Sequence, residues 1–129
     1  MKIIIFIFVA ISFLLSGCDQ TKLLAKLESA DVVRAYVGDQ ERIIHDKETI
    51  LSICHAMTAP ERKWSTPTSF SSLPFPPQRA FFEKDGSRFA YVAFGSDWLL
   101  IKFYPPESAS RSCVLTESDY KTISKLLGR

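Results

Sequence analysis

The chain has 129 residues, enough for one domain, and carries 16 Lys plus Arg against 14 Asp plus Glu. So even a balance argues against a nucleic-acid binder and against a polybasic membrane patch, both of which need a basic excess.

Met1 and Lys2 open the sequence, and an apolar run from Ile3 to Leu15 follows, interrupted only by Ser12. A positive start, an apolar middle and small residues at the end make a secretory signal. As a helix rising 1.5 Å per residue this run would reach about 20 Å, short of the roughly 30 Å of a bilayer's hydrocarbon. A permanent transmembrane helix is therefore not expected.

The next residues, Leu15-Ser16-Gly17-Cys18, closely resemble the lipobox of bacterial lipoproteins: a Leu, two small residues and an obligatory Cys. The resemblance implies that the Cys18 thiol takes a diacylglyceryl chain, that signal peptidase II cuts between Gly17 and Cys18, and that the new amine is acylated. The competing reading is an ordinary cleaved signal that happens to end in a cysteine. One acyl chain binds a membrane only marginally, whereas two or three hold it durably, so the membrane partner is reached through lipid. Asp19 and Gln20 follow. In enterobacterial lipoproteins an Asp at that position resembles the signal for retention in the inner membrane, which favours a periplasm-facing inner-membrane location over the outer membrane. The chain then divides into a signal peptide (1–17), a lipidated tether (18–30) and one small domain (31–129).

Cleavage leaves 15 basic and 14 acidic residues, since only Lys2 departs. It also leaves two cysteines beyond the lipidated one, Cys54 and Cys113. In an oxidising compartment such a pair is expected to form a disulfide, and closing a loop of about 60 residues would contribute roughly 4 kcal/mol. The alternative is two separately buried thiols, each behaving as a small hydrophobe.

Leu23, Leu24 and Leu27 sit at helical spacing among Lys22, Lys26 and Glu28, a turn or two of helix that is marginal alone and lies either beside the bilayer or docked on the domain. Residues 32–37 and 41–45, rich in β-branched and aromatic side chains and split by Gly38-Asp39-Gln40, predict a hairpin. Asp46 stands where an N-cap belongs, and Ile50, Ile53, Cys54 and Met57 define the inner face of a helix over 47–58. From Ala59 to Gln78, five prolines and a Ser/Thr-rich middle predict a long surface loop. A three-stranded antiparallel meander follows over 79–104, its first turn at Asp85-Gly86, the strongest short hairpin signal in the chain. After Pro105-Pro106 and an irregular stretch to Ser112, Thr116 caps a last helix, Leu115 staples onto Tyr120, and Gly128 ends it. The expected fold is α+β: about five antiparallel strands, hairpin plus meander, with two helices on one face.

No catalytic or cofactor motif is present. His45, Asp46 and His55 are too few for a zinc site, which needs three or four ligands. Cys54 and His55 are neighbours on a helix, pointing about 100° apart, so adjacency makes no nucleophile–base pair. No cofactor is expected. The remaining candidates are surfaces: the aromatic residues of the meander, and Trp64, Phe70 and Phe75 in the proline-rich loop. The first reading of these residues is core on one sheet face and a rigid cover over the sheet edge, the second a binding surface. By elimination, a lipid tether and a compact fold without chemistry lead to the expectation of a non-enzymatic domain that binds a protein of the cell envelope, as inhibitor, immunity factor or accessory subunit. The rival expectation is a small ligand held on an exposed aromatic sheet face.

Overall fold

The computed structural model describes residues 22–37, 39–66 and 78–128. The lipobox with Gly17, Cys18, Asp19 and Gln20, and the loop residues Phe70 and Phe75, lie outside the described residues. The first hairpin consists of β1 (Val32–Val37) and β2 (Gln40–Ile44), and α1 (Lys47–Met57) follows it. The meander is β3 (Gln78–Lys84), β4 (Ser87–Phe94) and β5 (Trp98–Phe103). It is extended by β6 (Ser110–Val114), before α2 (Glu117–Gly128) closes the fold.

Hairpin and meander are one structure. β1 pairs with β3 in the register Ala35 opposite Ala80, giving a six-stranded antiparallel sheet in the order β2-β1-β3-β4-β5-β6. The α+β class is as expected, and the count of about five strands is corrected to six. β6 escaped the sequence pattern because Ser110, Arg111 and Ser112 offer no apolar alternation, and only Cys113 in it is buried. Such polarity suits an edge strand, whose outer side must not invite further pairing. Here Ser65 covers part of that edge, exchanging two backbone hydrogen bonds with Ser112 at 2.9 and 2.8 Å.

Period-two alternation decides what each sheet face does. Val33, Phe82, Val92, Phe94, Ile101 and Phe103 point to one side, where they share a core with Ile50, Ile53 and Met57 of α1 and Ile123 and Leu127 of α2. Leu24, Leu27 and Ala30 are buried in the same core, so the packing extends N-terminal of residue 31. They belong to a short helical stretch at 22–25 and a 3-10 turn, Lys26–Ser29, additional to the two helices expected. Lys47 ties this segment to α1 by donating to the carbonyls of Glu28 and Ala30.

Both caps form. Asp46 Oδ2 accepts from the Thr49 amide at 3.1 Å, and Thr116 Oγ1 accepts from the Asp119 amide at 3.1 Å. At the β3–β4 turn Asp85 (φ 52°) and Gly86 (φ 80°) are both left-handed, as a two-residue hairpin with right-twisted strands requires.

The disulfide expected between Cys54 and Cys113 is absent: both are free thiols, and both are buried. Cys113 lies in β6 opposite Leu99, and the two thiols have different charged neighbours. Glu28 and Lys47 stand near Cys54, whereas Arg62 and Asp119 stand near Cys113. The helices are joined by Arg62 instead. Its side chain, 4% exposed, donates to Met57 O (2.8 Å) and Ala56 O (2.5 Å) at the end of α1, and to Asp119 Oδ2 (3.0 Å) in the first turn of α2.

Candidate functional site

The groups most suggestive of chemistry are disarmed by their surroundings. Burial pushes the Cys54 thiol up to about 12 and the Cys113 thiol up to about 11, so both stay protonated at neutral pH and neither is a nucleophile. His55, next to Cys54 in sequence, points outward, and its Nε2 lies 3.1 Å from Glu28 Oε1. His45 is exposed, and no group of three or more metal-ligating side chains occurs among the described residues. Trp64 is half-buried against the core, where it acts as cover.

The side of the sheet that carries no helix is different in character. Register places Arg34, Phe81, Tyr91 and Lys102 in one row across β1, β3, β4 and β5, with Tyr36, Arg79 and Ala93 in the next. The rings form a continuous ladder. Tyr36 meets Phe81 edge-on at 5.9 Å between centroids, and Phe81 meets Tyr91 at 5.2 Å and 44°. Both geometries suit the ring quadrupoles.

Cations roof the ladder. The Arg88 guanidinium lies 3.9 Å from the Phe81 centroid, Arg79 lies 5.3 Å from that of Tyr36, and Lys102 Nζ lies 5.8 Å from that of Tyr104. Buried Glu83 anchors one end, its Oε2 at 2.5 Å from Arg34 Nε and 3.9 Å from Arg88 Nε. Arg34 also reaches Glu41 at 3.5 Å. Arg79 and Lys102 have no carboxylate partner among the described residues, so the row ends in uncompensated positive charge. Burial raises the Tyr91 hydroxyl above its ordinary value, keeping it a neutral donor. In sequence this face shows only as alternation, since Arg34-x-Tyr36 and Arg79-x-Phe81 could equally have pointed inward. Their orientation was fixed by the pairing of β1 with β3, which no local signal announced.

A concavity lies on the helix side, at the junction of β1, β3 and α2. It measures about 370 Å³ and includes Val37, Gln78, Tyr120, Lys121, Ser124 and Lys125 in its lining. Of these the sequence motifs singled out Tyr120, as the staple partner of Leu115, whereas Gln78 and Ser124 lie far apart in the chain and nothing about either is distinctive locally. No described helix is long and apolar enough to cross a membrane. No family model, curated protein or solved structure matches this chain.

Proposed function

We propose that the chain is a lipoprotein acylated on Cys18 after cleavage behind Gly17, kept at the inner membrane by Asp19 and Gln20, with its folded part in the periplasm. That part acts by binding a protein of the envelope, as inhibitor, immunity factor or accessory subunit, through the helix-free sheet face. The observation carrying this reading is the ladder of Tyr36, Phe81 and Tyr91 beneath Arg79 and Arg88. Tyr and Arg are the side chains that concentrate binding energy at interfaces, being large, rigid and able to hydrogen-bond. The charge of Arg79 and Lys102, unpaired among the described residues, calls for an acidic patch on the partner, which would accelerate encounter and fix orientation.

The test places a photo-crosslinking amino acid at Tyr91, and at Ser52 on the exposed side of α1 as a control, in the full chain expressed in a bacterium. A discrete adduct at Tyr91 only, abolished by Arg79→Glu without loss of the folded state, is expected. Equal adducts at both positions, or none at Tyr91, would overturn the binding surface. Metabolic labelling with a clickable fatty acid tests the anchor separately: Cys18→Ser must lose the label, and a wild-type chain without label refutes lipidation.

A further inference from the structure

The cleft beside α2 has a polarity that follows from hydrogen-bond direction. Gln78, 9% exposed, closes its floor at the start of β3, opposite Val37 of β1. Its Nε2 donates to Tyr120 Oη and to Ser124 Oγ, both at 3.0 Å. A hydroxyl that accepts from an amide keeps its own proton for another acceptor. Neither hydroxyl donates to any group among the described residues, so both protons are free for whatever occupies the cleft. The amide's other end, Gln78 Oε1, is buried with no partner among the described residues. Buried polar atoms are seldom left so, which sets this amide apart from the rest of the junction.

Lys121 and Lys125 line the same wall one helical turn apart. Like charges at this spacing repel and weaken a helix, a penalty that an anion between them would remove. Glu117 pairs with Lys121 at 3.1 Å but is itself strongly exposed, and Lys125 has no carboxylate partner among the described residues. The carbonyl end of α2 is nearby and works against an anion, so attraction rests on the two ammoniums and two hydroxyls.

We propose that this cleft binds a small oxyanion of the phosphate class. Tyr120 and Ser124 donate to its oxygens, Lys121 and Lys125 neutralise its charge, and Gln78 is a positioning residue that turns the two hydroxyls outward. The volume exceeds that of inorganic phosphate, leaving room beside Val37 for the organic part of a monoester.

The experiment titrates the detergent-solubilised full chain with inorganic phosphate, against chloride at matched ionic strength, following the melting temperature and the amide resonances of Tyr120 and Ser124. Saturable shifts with phosphate alone are expected. Lys121→Gln with Lys125→Gln should weaken binding by roughly tenfold or more, as two charge-assisted contacts are lost, and Ser124→Ala several-fold. Gln78→Leu should weaken binding while both lysines remain; because that variant also alters the buried junction, Ser124→Ala on the helix surface supplies an independent measure. Shifts equal in phosphate and chloride, or a double-lysine variant that binds as tightly as the parent, would overturn the proposal.

Discussion

Replacing Arg62 by methionine keeps the aliphatic stem and removes the guanidinium, leaving three acceptors without their donor. Two are carbonyls in the last turn of α1, Ala56 O and Met57 O, and the third is Asp119 Oδ2 at the start of α2. Breaking a buried charge pair by removing one partner ordinarily costs about 3–5 kcal/mol. The Asp119 side chain is 31% exposed and can rehydrate, so the lower end applies, about 3 kcal/mol. For a domain with a total stability of roughly 5–15 kcal/mol that is a large fraction, equivalent to about 15 °C in melting temperature. Urea denaturation followed by circular dichroism measures it, with an unchanged m-value expected. A loss under about 1 kcal/mol, the worth of an exposed pair, would refute the idea that Arg62 clasps the helices.

The same substitution has a pH signature. The Arg62 guanidinium, and then the Thr116 hydroxyl, hold the Asp119 carboxyl below its ordinary value of 3.8. A carboxyl whose folded pKa is depressed stabilises the fold above the unfolded value and ceases to do so as pH falls through the folded one. The parent should therefore lose stability as pH drops below about 4, and Arg62→Met should lose less over that window. Identical acid limbs in the two proteins would sever the link between Arg62 and Asp119.

The buried thiols should be unreactive toward a thiol reagent in the native state and give two equivalents in denaturant without any reductant; a count that needs reductant would establish a bridge. Thr116→Ala removes the acceptor of the Asp119 amide and should cost about 1 kcal/mol in urea denaturation, with a value near zero excluding the cap. Phe82→Ala opens the centre of the core and should cost about 3–5 kcal/mol by the same measurement. At Gly95 an added Cβ would stand 2.5 Å from Trp98 Nε1, so Gly95→Ala should displace the indole, alter the near-ultraviolet dichroism and cost about 1–3 kcal/mol.

The elements readable in the chain were those with a local mechanism. Asp85-Gly86 admits two left-handed residues in succession, Asp46 and Thr116 present an oxygen to an orphan amide, and Ile50, Ile53 and Met57 keep helical spacing. What escaped depends on residues distant in sequence. β6 is a strand because β5 offers it a partner, and Ser65 covers its edge, although Ser110-Arg111-Ser112 has no preference of its own. Arg62 reads as a loop cation and becomes a buried clasp only when α2 brings Asp119 to it. For Cys113, compartment and parity argue for a bridge, whereas the structure has it as a free, buried thiol in β6 opposite Leu99. At the candidate site, the aromatic residues were visible as a group, but their division into Phe82 inside and Phe81 outside awaited the register of β1 on β3.

The two sheet faces solve different problems with similar residues. Inside, Phe82, Phe94 and Phe103 are stabilised by exclusion of water. Outside, Phe81 and its neighbours remain on the surface under guanidinium groups that are themselves well hydrated, so the ladder is not an open apolar patch inviting self-association. With the lipid on Cys18, as proposed, the chain from that sulfur to Lys22 spans at most about 14 Å when fully extended. Leu24 and Leu27 are already buried in the domain beyond it, and Lys26 is paired with Glu107 in the β5–β6 connection. Under that proposal, so short a lead would hold the folded part against the headgroups instead of letting it roam the periplasm. A partner of the arginine-roofed face would then meet it at the bilayer surface, where the proposed anchor would raise the local concentration of the domain and let an interface of modest intrinsic affinity stay occupied.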